Sequence, residues 1–187
     1  MVITRFIIKI NLIINIIIKI VIYSIMPNIK DGFHYTPVEI VKELIKDIKF
    51  INNESCLETC RGGGAFYNAL PDNIVKDWCE IDMGRDFFQY TTPTDISISN
   101  PPYQIEIDGK RKNIVIKWMD HQFSITNREC WFLLNGSMFS SMTPIRLNKW
   151  KALGWNICFM RILNIKKWYG RYYWVCFSKT KPSIMHF

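Results

Sequence analysis

Hydrophobic positions follow a helical period in some segments of the chain and form short continuous runs in others. The segment from 35 to 48, YTPVEIVKELIKDI, carries its apolar residues at helical spacing and is predicted to be an amphipathic helix. Thr36 is its predicted N-cap, Pro37 its first helical residue, and Glu39 the far member of a capping box. This helix is the first well-marked element of the sequence.

Strands and helices are predicted to alternate after it. The predicted strands are SCLET (55–59), IVKDWCEI (74–81), TDISIS (94–99), CWFLLNG (130–136) and a closing pair, NICFMRIL (156–163) and YYWVCFSK (172–179). The predicted helices are AFYNAL (65–70), NIVIKWMDHQFSI (113–125) and PIRLNKWKAL (144–153). IEIDGKRK carries an Asp-Gly turn between extended stretches. This order predicts an α/β fold with a mostly parallel, twisted sheet and an antiparallel C-terminal hairpin, whose ligands bind at the carboxyl ends of the strands.

Residues 1–25 are a separate case, because FIIKINLIINIIIKIVIYSIM approaches the length of a membrane span. Lys9 and Lys19 fall inside this run, and a lysine in mid-span costs about 2.5–3.5 kcal/mol on insertion scales. Three interpretations stay open: a poor membrane anchor, an added N-terminal element, or translated sequence upstream of a true start at Met26. We expect no membrane partner, and residues 26–187 are predicted to form one domain.

Composition narrows the class of protein. The 187 residues are 49% hydrophobic and 14% aromatic, which supplies a sizeable core and excludes wholesale disorder. A formal net charge of +8 favours an acidic partner, with nucleic acid first. The six cysteines form no C-x-x-C pair and the three histidines lie far from any pair of cysteines, so no metal is expected. Several cysteines fall in apolar runs, and the reducing cytosol is the expected compartment.

LETCRGGGAF places three glycines between a predicted strand and a predicted helix. Glycines there allow the backbone to approach a ligand closely, although a tight turn alone would explain them equally well. The motif lacks the Gly-Lys-Ser/Thr of a Walker loop. Glu58 stands at the strand tip, where a carboxylate repels phosphate and suits an ammonium group or hydroxyls.

WCEIDMGRDFF follows the next predicted strand. Glu80 lies close to where nucleotide-binding folds place the acid that grips ribose hydroxyls. Asp86 could accept the exocyclic amine of an adenine, and Phe87 could stack on its ring. The alternative interpretation is a solvated turn with a core phenylalanine.

SNPPY follows the apolar strand TDISIS, and its two prolines fix an extended backbone. An aromatic amine is a poor nucleophile because its lone pair is delocalised into the ring. The Asn100 side-chain carbonyl and the Pro101 backbone carbonyl could accept both N–H protons and localise that lone pair, while Tyr103 stacks on the ring. The alternative is a rigid turn with a surface tyrosine.

Taken in order, FHYTPVEIV, LETCRGGGAF, CEID, RDFF and SNPPY resemble the motifs of the adenine-N6 DNA methyltransferases, over roughly residues 33–179. The resemblance implies a Rossmann-like methyltransferase fold, S-adenosylmethionine as cofactor, DNA as partner, and a phage or large DNA virus as source, with the host cytoplasm as location. The implied catalytic residues are Asn100, Pro101, Pro102 and Tyr103. The implied cofactor-binding residues are Tyr35, Thr36, Pro37, Glu58, Gly62, Gly64, Phe66, Glu80, Asp86 and Phe87.

The sequence departs from this family at three places. Thr59-Cys60-Arg61 replaces a stretch that usually contains proline, which affects the fine cofactor contacts. The stretch from Glu80 to Asp86 is too short for a helix and a strand, so the third family strand is expected to be reduced or missing. A separate target-recognition domain is not expected, and base specificity is therefore predicted to be low or supplied by another protein.

Nucleic-acid contacts are expected from basic residues of the domain itself. Lys110, Arg111 and Lys112 lie beside the tetrad in sequence. KKWYGRYYW supplies Lys166, Lys167 and Arg171 among aromatic residues, a pattern that suits phosphate contacts and base stacking. A solvated face, or a hairpin with core aromatics, is the alternative for each.

Three functions remain open at this point. The first is adenine-specific methylation of DNA at N6, with the base flipped from the duplex. The second is methylation of RNA or of a protein glutamine, since those methyltransferases share Asn-Pro-Pro-Tyr. The third is an inactive, methyltransferase-like scaffold that binds nucleic acid, which Arg61 within the glycine loop would favour.

Overall fold

The computed structural model describes residues 35–107, 110–166 and 168–185. The chain divides into two compact units, Met1–Tyr35 and Thr36–Phe187, and only Tyr35 of the first unit is described. The three interpretations of residues 1–25 therefore lie outside the described residues, and the proposed domain boundary stays a prediction. Within the described part, no helix is both long and apolar enough to cross a bilayer.

Strands and helices alternate as the apolar pattern predicts. The strands are β1 (Ser55–Glu58), β2 (Val75–Trp78), β3 (Thr94–Ser99), β4 (Gln104–Ile107), β5 (Lys110–Asn113), β6 (Thr126–Asn135), β7 (Asn156–Leu163) and β8 (Tyr172–Ser178). The helices of the described part are α1 (Val38–Ile45), α2 (Ala65–Ala69), α3 (Val115–Ile125), α4 (Gly136–Ser141) and α5 (Pro144–Ala152).

The main sheet has the strand order β2-β1-β3-β6-β8-β7. Strands β2, β1, β3 and β6 run parallel, whereas β8 is antiparallel to both β6 and β7. The predicted fold class, a mostly parallel sheet with an antiparallel C-terminal hairpin, is confirmed. No strand lies between β2 and β3, where the resemblance predicted a reduced or missing strand; this segment, which is described throughout, holds two 3-10 turns, Ile81–Met83 and Phe87–Gln89.

Helices cover both faces of this sheet, and β6 shows how the sequence achieves it. Trp131 and Leu133 pack in the cluster that contains α1 and α2, whereas Phe132 and Leu134 pack in the cluster with α3 and α5. Because alternate residues of a strand point to opposite faces, a continuous apolar run is what a strand buried on both sides requires.

Two local predictions need correction. Pro37, not Thr36, is the N-cap of α1, and no side chain caps this helix. The Thr36 side chain instead contacts the loop after β3. Helix α4 was not expected, because its sequence GSMFSS is rich in glycine and serine, which are weak helix formers. At α5 a side-chain cap is present, since the Thr143 side chain accepts a hydrogen bond from the Arg146 amide.

The topology gathers several loops at one edge of the sheet. The parallel strands β1, β2, β3 and β6 all end there. Residue Asn135 at the end of β6 pairs with Tyr172 at the start of β8, so the β7–β8 turn lies at the same edge. The small β4–β5 hairpin follows directly after the SNPPY segment.

Candidate functional site

The Asn100 side chain lies immediately after β3 and is held from two sides. Its Nδ2 donates a hydrogen bond to Thr36 Oγ1 at 3.2 Å, and its Oδ1 accepts one from the Tyr103 hydroxyl at 3.4 Å. The first contact holds the amide with its nitrogen on the Thr36 side. The amide oxygen is consequently presented on the Tyr103 side. The carbonyl of Pro101 meets no donor among the described residues.

Tyr103 is more enclosed than a stacking residue needs to be. Its ring packs against both core clusters, and its hydroxyl lies closer to the Leu133 carbonyl, at 3.1 Å, so the single O–H proton is shared between this oxygen and Asn100 Oδ1. Burial raises the pKa of this phenol above its ordinary value. Tyr103 thus ties the tetrad to β6 and helps to fix Asn100, a role that the sequence did not suggest.

The glycine loop after β1 bends through left-handed backbone at Gly62 (φ 49°) and Gly64 (φ 78°). Glycine tolerates this conformation at no steric cost, which explains its use here. A hydrogen bond joins this loop to the tetrad, since Cys60 Sγ donates to the backbone carbonyl of Asn100 at 3.0 Å. The two motifs that the sequence places at neighbouring strand ends are therefore in contact.

Glu58 ends β1 and is only 2% exposed. Its carboxyl accepts a hydrogen bond from the Tyr67 amide in α2 at 2.9 Å. Burial raises the pKa of Glu58 to about 8, against the opposing effects of that hydrogen bond and of Arg61 nearby. A cation placed beside Glu58 would favour its ionised form, so the position suits an ammonium group.

Glu80 lies just beyond β2 and connects three segments. Its Oε2 accepts a hydrogen bond from the Gly62 amide at 2.6 Å, and its Oε1 accepts a longer one from the Asp82 amide at 3.4 Å. Its backbone pairs with Arg85 in an isolated bridge. A carboxylate has about four acceptor positions, so Glu80 can hold the glycine loop and still accept hydrogen bonds from a ligand diol.

Asp86 and Phe87 do not lie as the sequence suggested. The Asp86 side chain caps a 3-10 turn by accepting from the Phe88 amide at 2.9 Å. Phe87 is 2% exposed, with its ring 4.5 Å from Trp118 and 4.7 Å from His121 between centroids. The structure therefore places Phe87 in the core, and the adjacent, half-buried Phe88 is the ring nearer to solvent.

Phe66 is also a core residue, 2% exposed and stacked on Trp174 at 5.6 Å between ring centroids. Its predicted cofactor contact is corrected accordingly.

Thr36 lies at the tetrad through its hydrogen bond to Asn100, and Pro37 is the N-cap of α1 beside it. Tyr35 belongs to the other compact unit.

The predicted basic residues are exposed where they are described. Lys110, Arg111 and Lys112 form strand β5, and Lys166 and Arg171 flank the β7–β8 turn. Lys167 lies outside the described residues. In that turn Tyr169 is 100% exposed, whereas Trp168 and Tyr172 are buried. Both alternatives for KKWYGRYYW are therefore partly realised, because some of its aromatics belong to the core and one projects into solvent.

Three further residues shape the site, and the sequence predicted a positioning role for none of them. Cys60 links the two loops, as described. Trp118 of α3 donates from Nε1 to Thr59 Oγ1 at 2.9 Å and so fixes the start of the glycine loop. Arg61 lies over the loop itself. Long-range partners of this kind have no local pattern, and only the fold brings them together.

The described residues contain no cluster of three or more His, Cys, Asp or Glu that could hold a metal ion. An open groove of about 360 Å³ lies between α1 and α2 beside Gly63. It touches neither Glu58, Glu80 nor Asn100, so the candidate site is defined by the strand ends instead.

Comparison with known proteins establishes the fold. No protein-family model matches the chain, and no curated protein matches its sequence. A Listeria monocytogenes structure described as a class I S-adenosylmethionine-dependent methyltransferase is similar, with a TM-score of 0.66, 14% identity, and 88% of this chain covered against 66% of that one. A Vibrio vulnificus chain described as the modification subunit of a type I restriction enzyme has a TM-score of 0.61 and 12% identity, with 90% of this chain covered against 48% of that one. A 23S rRNA methyltransferase has a TM-score of 0.58 and 10% identity, with 81% of this chain covered against 72% of that one.

The chain thus has the fold of the class I methyltransferases and spans less than two thirds of the Listeria and Vibrio chains.

Proposed function

We propose that this chain is an S-adenosylmethionine-dependent methyltransferase that acts on the exocyclic N6 amine of adenine in DNA. The observation that carries the proposal is the Asn100 amide, oriented by Thr36 and Tyr103 at the end of β3 and joined through Cys60 to the glycine loop. A turn with no chemical role would not need a side-chain amide held both within the turn by Tyr103 and from a distant part of the chain by Thr36.

The residues at the strand ends fit the proposed cofactor. Glu80 would accept hydrogen bonds from the ribose hydroxyls, and Asp86 keeps one carboxylate oxygen beyond the one that caps the turn. Glu58 would face the ammonium of the methionine portion. Gly62 and Gly64 would let the backbone approach it. When bound, the cofactor supplies an electrophilic methyl group.

The tetrad would prepare the amine that receives the methyl group. Asn100 Oδ1 and the Pro101 carbonyl would each accept one N–H of the amine and draw its lone pair out of conjugation with the ring. Because the prolines and the Thr36 contact fix both acceptors, little reorganisation remains at the moment of reaction. Tyr103 would act as a positioning residue through its bond to Asn100.

The charge at this edge of the sheet supports a nucleic-acid substrate. Strand β5 exposes Lys110, Arg111 and Lys112 just after the tetrad, and the β7–β8 turn exposes Lys166 and Arg171. Exposed cations bind phosphate without reading sequence, so we expect salt-sensitive binding with little base preference. The fold of the Vibrio modification subunit supports DNA, whereas the similar rRNA methyltransferase keeps RNA as the competing substrate.

Transfer of tritium from labelled S-adenosylmethionine to DNA, RNA and protein, measured in parallel, tests the proposal. We expect label in DNA, recovered as N6-methyladenine after digestion, and loss of that label in Asn100→Ala. Label in RNA or protein alone would replace the substrate and keep the enzyme class. Cofactor binding without transfer to any of the three would favour an inactive scaffold.

A further inference from the structure

The guanidinium of Arg61 lies directly over the glycine loop. A Cβ atom added to Gly64 would stand 3.1 Å from Nη2 and 3.3 Å from Cζ of this side chain. The guanidinium carbon also lies 5.3 Å from the ring centroid of Tyr67 and 5.1 Å from that of Trp78. Arg61 is therefore held by aromatic rings at the place where a ligand would meet Gly64.

This guanidinium forms no close ion pair with a carboxylate in the described part of the chain, although it lies near enough to Glu58 to oppose the rise in the pKa of that acid. Its Nε is buried and makes no hydrogen bond there, and Nη1 reaches only the Met83 sulfur, at 3.7 Å. The carboxylates closest to the loop are engaged elsewhere, since Glu80 accepts from Gly62 and Glu58 from Tyr67. No ion pair within 4.0 Å joins Arg61 to a described acid.

Arg85 provides the contrast. Its guanidinium also lies over Trp78, at 4.4 Å from the ring centroid, but it is neutralised by Asp77 at 2.6 Å. Both arginines stack on the same tryptophan, and only one of them has its donors satisfied by a carboxylate. A buried donor without a partner is unfavourable, so its retention points to a partner that arrives with the ligand.

We propose that Arg61 binds the α-carboxylate of the methionine portion of S-adenosylmethionine, an inference that rests on the proposed function. The planar fork of a guanidinium matches a carboxylate with two parallel hydrogen bonds, and Nη2 of Arg61 lies on the Gly64 side of the side chain, where the methionine portion would lie. Glu58 stands at the end of the preceding strand, where it suits the α-ammonium. The pair would recognise the two charges of an amino acid and make Arg61 a specificity residue, rather than a sign of lost activity.

Calorimetric titration of two ligands, S-adenosylmethionine and its decarboxylated analogue, tests the inference without any turnover. We expect Arg61→Gln to weaken binding of the complete cofactor by about 10- to 100-fold, the loss of a charge-assisted contact. Its affinity for the decarboxylated analogue should match that of the parent protein. Arg85→Gln, the matched control on the same tryptophan, should change the ratio of the two affinities little.

Equal losses for both ligands in Arg61→Gln would overturn the inference and make Arg61 a support of the loop. Unchanged or tighter binding of the complete cofactor would overturn it too, because the side chain would then merely fill the space. Arg61→Lys keeps the charge without the fork, should show a smaller selective loss, and carries the test if Arg61→Gln does not fold. A parent protein that binds neither ligand would instead overturn the proposed function, and this inference with it.

Discussion

The loop after β3 and the loop after β1 meet at one edge of the sheet, yet they are held by different kinds of interaction. The tetrad loop is fixed by uncharged groups, namely the Thr36 hydroxyl, the Tyr103 hydroxyl and the Cys60 thiol. At the glycine loop carboxylates take part as well, with Glu80 on the Gly62 amide and Glu58 on the Tyr67 amide of the following helix, beside the neutral contact of Trp118 with Thr59.

This difference separates the two proposed tasks of the site, which are to bind the cofactor and to prepare the acceptor amine. Neutral hydrogen bonds between hydroxyl and amide groups keep their strength over the ordinary pH range, so the geometry around Asn100 should be insensitive to pH. Carboxylate contacts change when the acid titrates, and Glu58 has its pKa raised to about 8. The side that binds cofactor should therefore respond to pH, and the side that prepares the acceptor amine should not.

The sharpest test of the neutral side is Asn100→Ala. Removing one preorganised group of this kind typically costs about 10²–10³ in rate, or about 2.7–4 kcal/mol of transition-state stabilisation. Single-turnover transfer should fall by that amount, while the affinity for S-adenosylmethionine measured by calorimetry stays within about twofold, since it depends on the other loop.

Asn148→Ala is the matched control, because Asn148 is an exposed asparagine of α5. A correctly folded Asn100→Ala protein that methylates at the parent rate would show that the SNPPY segment is only a rigid turn.

Glu80→Ala tests the charged side. A carboxylate that accepts ligand hydroxyls contributes charge-assisted hydrogen bonds of roughly 1.5–3 kcal/mol each, so cofactor affinity should fall roughly 10- to 100-fold. The Gly62 amide also loses its acceptor, which adds to the loss. Titration calorimetry measures the effect, with exposed Asp82→Asn as the control. Unchanged affinity in a folded protein would remove Glu80 from the site.

Glu58 is expected to make the stability of the folded protein depend on pH. The folded-state pKa of Glu58 lies above its ordinary value of 4.5, at about 8, so between these values the folded protein holds a proton that the unfolded chain releases. Glu58 therefore contributes stability that is fully present below 4.5 and is lost as pH rises through about 8.

The slope from this one group reaches at most about 1.4 kcal/mol per pH unit. Urea unfolding at several pH values between these limits should show the decline in the parent protein and a flatter profile in Glu58→Gln. Because both proteins share every other titrating group, their difference isolates Glu58. Parallel profiles would mean that the carboxyl is ionised in the fold.

The order of elements could be predicted from the sequence because it depends on local patterns. A run such as TDISIS is buried on both sides wherever it occurs, and Thr143-Pro144 begins a helix through its own local chemistry. The absence of a strand between β2 and β3 could be predicted because the segment from Glu80 to Asp86 is too short for a helix and a strand. In contrast, Thr36 satisfies every local rule for an N-cap, but its hydroxyl is used by Asn100, which is distant in sequence.

The same limit explains which site residues were misplaced. Phe66 and Phe87 follow the family motifs in sequence, yet Trp174 and Trp118 enclose them from elements much later in the chain. Whether an aromatic ring faces the core or a ligand depends on those packing partners, and no window of the sequence contains them. Asn100 and Glu80 were easier to single out as candidates, since both are polar side chains that come just after strands, and their roles stay predictions.

The smallest expected effect, and the one that best resolves the neutral side, is that of Tyr103→Phe. If Tyr103 served only as a stacking surface, loss of its hydroxyl would change nothing. The single proton of this hydroxyl is instead shared between the Leu133 carbonyl at 3.1 Å and Asn100 Oδ1 at 3.4 Å, and a neutral hydrogen bond contributes about 0.5–1.5 kcal/mol. We therefore expect kcat to fall about two- to tenfold while cofactor affinity stays unchanged. Because the phenol has its pKa raised by burial, it stays protonated, and the kcat ratio of the two proteins should be constant from pH 6 to 9. A ratio that varies across this range would place a titrating group on the side of the site that is held by neutral contacts, and the distinction between the two loops would fail.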